Sequence, residues 1–179
     1  MILVIGYGNP LSSDDGLGPY AVEQLAAQAE QRLADKVDYQ IVYQLTPELA
    51  EPISRAECVI FVDAAYSAGE TPGTLTCQIL PPTAPPLRTT SAAFTHHLDA
   101  AALLESAQSL YGRRPVAYVY TVTGETFALG QTFSAAVESV LPTLIDHLKA
   151  RLSQCTNLAL PRTSFEDFSA SLSGKVSPA

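Results

Sequence analysis

MILVIGYGNPLSSDDGLGPYAVEQL, residues 1–25, decides how the chain folds. Met1 to Ile5 is a short continuous apolar run, the pattern of a parallel strand buried on both faces. Gly6, Gly8, Asn9 and Pro10 then build a turn. Two adjacent carboxylates follow, Asp14 and Asp15, ahead of a helix whose apolar positions include Leu17, Tyr20, Ala21 and Leu25. A strand thus delivers two acids to the carboxyl edge of a sheet, where ligands bind in open α/β folds. One Asp at a helix start needs no explanation beyond capping, worth roughly 0.3–1 kcal/mol through the helix dipole. Two in succession after a glycine-rich turn exceed what capping requires.

Outward from that stretch, helix and strand patterns alternate. The first helix is expected over 16–32, and Asp38 to Tyr43 alternates as a strand. Thr46-Pro47-Glu48 reads as a helix start with Thr46 as cap, and that helix ends near Arg55. Cys58 to Val62 is a second continuous apolar run, a central strand closed by Asp63. Leu75 to Leu80 follows a connection too short for a crossover helix, so it runs antiparallel to its predecessor. Residues 81–92 read as a surface loop ending in Phe94-Thr95-His96-His97. A helix over 99–111, a strand over 116–122 and a long helix over 134–152 complete the pattern. This order predicts a three-layer α/β/α sandwich around a mostly parallel, twisted five-stranded sheet with one antiparallel strand. Residues 1–153 form the α/β domain; residues 154–179, Ser-rich and without period, are expected as a partly disordered tail.

Charge and cysteine usage narrow the function. Ten Lys and Arg against 18 Asp and Glu leave a net charge of −8, which argues against nucleic acid and anionic membranes as partners. No apolar stretch is long enough to span a bilayer, and the N-terminus lacks the basic region of a signal peptide. The three cysteines form no CxxC pair, so neither a disulfide framework nor a structural zinc site is expected. A monomer in a reducing cytoplasm fits these features.

Three polar residues far apart in sequence can meet on one rim. Asp15 follows the first strand, Asp63 closes the third, and His96 precedes the third long helix. Two carboxylates and an imidazole are a ligand set for a borderline divalent metal. They serve equally as an acid/base group without one. Taken singly, Asp63 reads as a cap or loop hydrogen-bonder and His96 or His97 as a surface histidine; the joint placement favours a site. Gly6-x-Gly8 opens a dinucleotide fingerprint, but Leu11 stands where its third glycine belongs. No G-x-S-x-G elbow, P-loop or HExxH occurs.

GYGNPLSSDDGLGPYAVEQL, FVDAAYSAGETPGTL and FTHHLDAAALLESAQSLYGRRP together resemble the peptidases that mature nickel–iron hydrogenases, over about residues 1–150. The type resembled best serves bidirectional, NAD-linked hydrogenases. The resemblance implies an endopeptidase, of aspartyl type, that removes the C-terminal extension of the hydrogenase large-subunit precursor after nickel insertion. It further implies that Asp15, Asp63 and His96 contact nickel, the substrate's own, with Asp14 in the first acid position of the pair. The family pattern around the histidine selects His96 over His97: Thr95 precedes it, Leu98 lies two residues on, and Leu103-Leu104 follow. Many relatives carry Asp-Gly-Gly-Thr where this chain has Gln44-Leu45-Thr46-Pro47, so no role of that Asp transfers. A non-catalytic nickel or hydrogenase assembly chaperone of the same fold is the alternative.

Overall fold

The computed structural model describes residues 1–29, 35–66, 69–83 and 99–157. His96, His97, most of the expected 81–92 loop and the segment 158–179 lie outside the described residues. Five strands form one sheet: β1 (Ile2–Tyr7), β2 (Val37–Val42), β3 (Cys58–Ala65), β4 (Leu75–Leu80) and β5 (Val116–Thr123). Their order is β2-β1-β3-β5-β4. β1 pairs in parallel with β2 and β3, and β3 with β5; β4 runs antiparallel to its predecessor β3, as expected, but pairs with β5, which lies between them.

The period-2 geometry of a strand explains why β1 and β3 are continuously apolar. Ile2 and Val4 of β1 face the same cluster as Ile60 and Val62 of β3. Leu3 and Ile5 face the other cluster with Val59 and Phe61. Helices α1 (Leu17–Ala27) and α4 (Ala135–Asn157) cover the first face through Leu17, Leu25, Leu144 and Leu148. Helices α2 (Ala50–Arg55) and α3 (Ala100–Tyr111) cover the second through Ile53, Leu103 and Leu104. Both faces of Ile2–Ile5 in β1 and of Cys58–Val62 in β3 being dry, those residues are all apolar, and the fold is the expected three-layer sandwich.

Local departures have local causes. α1 ends at Ala27 rather than at residue 32. Beyond Leu25 the chain offers no large apolar residue before Leu33 to hold a further turn on the sheet. The segment after β2 begins as a 3-10 turn, Pro47–Leu49, and Thr46 makes no side-chain capping bond to it. α3 has the cap that α2 lacks: Asp99 accepts from the Ala102 N–H at 2.7 Å, and Gly112 closes the helix at φ 70. α4 continues to Asn157, past the expected end at residue 152, because Leu152 and Cys155 both bury against the first face.

Candidate active site at the carboxyl edge of the sheet

The two adjacent aspartates do different work, and neither caps α1, whose N-cap position is Gly16. A 3-10 turn, Ser13–Gly16, carries them. Asp14 is fully buried and points into the connection between β5 and α4. Its Oδ2 accepts the N–H of Glu125 at 2.8 Å and of Thr126 at 3.0 Å, and its Oδ1 accepts that of Ser134 at 2.7 Å. Burial opposes its charge, but the bonds from Ser134, Thr126 and Glu125 outweigh that and hold the carboxyl below its usual range. The same junction is laced by Ser13, whose N–H reaches the Gly130 carbonyl at 2.8 Å and whose Oγ donates to the Ala128 carbonyl. Ser13 takes φ 49 to do so, a left-handed conformation uncommon outside glycine. Asp14 is a structural bolt between the first loop and residues 124–134.

Asp15 is half-buried and turned back along its own loop, accepting the Asn9 N–H on Oδ2 at 2.8 Å. Two glycines make this placement feasible. Gly8 stands at φ 131, and a Cβ there would lie 2.0 Å from the Asp15 carbonyl oxygen. Gly18, at the start of α1, would drive a Cβ to 2.4 Å from the carbonyl oxygens of both Tyr7 and Val62. The helix start therefore lies directly on the ends of β1 and β3. The glycines bring backbones together, consistent with the incomplete dinucleotide fingerprint.

Asp63 lies in β3, which continues two residues beyond it, opposite Thr121 of β5. It shares strand parity with Val59 and Phe61, just as Tyr7 shares it with Leu3 and Ile5. Gly6 pairs with Val62, so Tyr7 and Asp63 are one step further along adjacent parallel strands and on the same face. The Tyr7 hydroxyl hydrogen-bonds the Asp63 carboxylate. Burial pushes the Asp63 carboxyl up to about 7; bonds from Tyr7 and the Ala64 N–H pull it down, and the charge of Asp15 pushes it further up. Burial and the Asp63 charge also raise the Tyr7 hydroxyl well above its usual value, with Asp99 adding to this.

The rim therefore gathers Asp15 and Asp63 within electrostatic reach of each other, with Tyr7 on Asp63 and Asp99 close enough to act on Tyr7. His96, three positions before Asp99, lies outside the described residues, and no cluster of three or more metal-ligating side chains occurs among those described. Two oxygen-donor carboxylates of like charge suit a divalent cation, which would relieve their repulsion. Sequence reasoning missed Tyr7 and Asp99. The parity of Tyr7 with Leu3 and Ile5 at the end of β1 is the signal that points to the first. For the second it is an Asp directly before a helical pattern.

No protein-family model matches the chain, and a search of curated proteins finds no match. Solved structures do match. The hydrogenase maturating endopeptidase HybD from E. coli superposes with a TM-score of 0.70 at 25% identity, covering 86% of this chain and 92% of that one. The hydrogenase 2 maturation peptidase of a Thaumarchaeota archaeon reaches 0.59 at 24% identity, over 84% and 97% of the two chains. The [NiFe] hydrogenase maturation protease HycI from Thermococcus kodakarensis reaches 0.62 at 19% identity, over 85% and 92%. The mixed five-stranded sheet and the helices around it are those of the HybD-like α/β fold, and these three structures that share it are named as hydrogenase maturation endopeptidases and proteases.

Proposed function

We propose that this chain is a processing endopeptidase that removes the C-terminal extension of a nickel–iron hydrogenase large-subunit precursor after nickel insertion. The observation that supports the reading is that Asp15 and Asp63 lie within electrostatic reach of each other at the carboxyl edge of a sheet shared with HybD. In this reading Asp15, Asp63 and His96 reach toward nickel already held by the precursor, so the metal is part of the substrate. Carboxylates and an imidazole have little affinity for a metal-free precursor. Completing the coordination of a loaded one selects it by the presence of a ligand. Asp63, titrating near neutrality, is suited to take a proton from an attacking water and return it to the leaving amine. Tyr7 is a positioning residue that holds that carboxyl in place. The partner is a large subunit of the bidirectional, NAD-linked type; the enzyme acts in the cytoplasm as a monomer, without nucleic acid or membrane. Among the described residues no helix is long and apolar enough to cross a membrane.

The test is a size shift on a gel. Purified protein is incubated with nickel-loaded and nickel-free precursor. Cleavage of the loaded form alone is expected. Equal cleavage of both removes metal recognition, and binding without any cleavage leaves the assembly-chaperone reading instead. Asp15→Ala, Asp63→Ala and His96→Ala are each expected to abolish processing with an unchanged circular dichroism spectrum.

A further inference from the structure

A second reactive pair lies at the opposite end of β3 from Asp63. Cys58 opens that strand, paired with Ile2 on one side and Val116 on the other. Cys155 comes near the end of α4, and the two Sγ atoms are 2.7 Å apart. Both are free thiols. Their side chains are buried, with residue exposures of 5% and 7%. Closing from 2.7 Å to the length of a disulfide, about 2.0 Å, requires movement of less than an ångström. Arg151, one helical turn before Cys155, is fixed beside the pair. Its guanidinium lies 4.0 Å over the Tyr118 ring, and its Nε donates to the Tyr120 hydroxyl at 3.2 Å.

We propose that Cys58 and Cys155 are a redox modification site, a dithiol that hydrogen peroxide converts to a reversible disulfide stapling the end of α4 to the start of β3. One sulfur, as its thiolate, attacks a peroxide oxygen, giving a sulfenic acid and hydroxide, which takes up the proton that thiol lost. The other thiol then attacks the sulfenic sulfur, forming the S–S bond. The displaced hydroxide and the second thiol's proton leave as water. Two thiols and one peroxide become one disulfide and two waters. Either sulfur can donate in this contact, and the nearby Arg151 charge favours a thiolate on both against the opposing effect of burial. The staple joins residues 97 positions apart, so it constrains the unfolded chain strongly.

The test uses the full chain carrying Cys77→Ser, because Cys77 is exposed and would react independently. Reduced protein is treated with hydrogen peroxide, then assayed for free thiols under denaturing conditions, for intact mass, and for thermal unfolding. Expected is the loss of both thiols, a monomer lighter by two hydrogens, and a midpoint raised by roughly 10 °C, all reversed by dithiothreitol. A further Cys155→Ala or Cys58→Ala change removes the midpoint shift. Two intact thiols, covalent dimers, or irreversible oxygen addition at one of the two sulfurs with the other still reduced would each overturn the proposal.

Discussion

Replacing Asp14 by Asn tests whether that residue is a bolt or part of the chemistry. In the native protein its Oδ2 serves two N–H groups and its Oδ1 a third. The amide of Asn has one acceptor oxygen. In its better orientation that oxygen keeps Glu125 and Thr126, and its NH₂ then confronts the Ser134 N–H. One buried donor loses its partner, and two surviving bonds lose their charge assistance. A buried unsatisfied donor costs about 1–3 kcal/mol, and a bond to a charged group is worth about 1.5–3 kcal/mol against about 1 for a neutral one. The expected loss is therefore about 2–7 kcal/mol for Asn, with Ala worse because all three donors are orphaned. At about 2–4 °C per kcal/mol for a chain of this size, the midpoint should fall by at least roughly 4 °C and by up to roughly 28 °C. The pH profile adds a second readout. The carboxyl is lowered in the folded state, so its stabilisation is present above the unfolded value of 3.8 and is lost as pH falls through the lower folded one. Urea unfolding between pH 2 and pH 6 should show this acid limb in the native protein and a weaker one in Asp14→Asn. An unchanged urea midpoint with unchanged acid dependence refutes the structural role.

Other outcomes follow from the same geometry. Asp15→Asn should keep the unfolding midpoint within a few degrees while abolishing processing, the reverse of Asp14→Asn; circular dichroism melts beside the precursor gel separate the two. Gly18→Ala forces a Cβ against two carbonyl oxygens at 2.4 Å, and overpacking of that kind typically costs about 1–3 kcal/mol; a melt unchanged from native would contradict the close helix–strand contact. Tyr7→Phe removes the hydroxyl from Asp63 and should shift the processing pH profile toward higher pH, because a bond that lowers the Asp63 carboxyl is gone; a profile that does not move leaves Tyr7 as packing only.

How much of this was legible beforehand depends on the kind of information each feature carries. The parallel sheet was visible because ILVI and CVIFV are apolar on both parities, which only a strand covered on two faces demands. The antiparallel β4 followed from a short connection. Asp63 was visible as a carboxylate ending such a run. The separate roles of Asp14 and Asp15 were not, since the three N–H groups that claim Asp14 come from residues more than 100 positions away. No local pattern records which of two neighbouring acids will meet a distant loop. The Cys58–Cys155 contact was hidden for the same reason, being a tertiary approach between a strand start and a helix turn.

The Asp63 carboxyl shows what the rim gives up in stability. A folded-state value raised from 3.8 to about 7 means that the protein binds this proton more tightly than the unfolded chain does. Its contribution is greatest below the unfolded value and is lost as pH rises through the folded one. At one pH unit per 1.36 kcal/mol, ionising Asp63 in place disfavours folding by at most about 4 kcal/mol, less where water reaches it. Asp63→Asn should therefore be more stable than the native protein at pH 8 and nearly equal to it at pH 4, judged by urea unfolding at both. A stability gain at pH 8 together with lost processing is the signature of a group kept for chemistry against the interest of the fold. A loss at pH 8 would mean instead that the bonds from Tyr7 and Ala64 outweigh burial, and that Asp63 is held, like Asp14, as part of the frame.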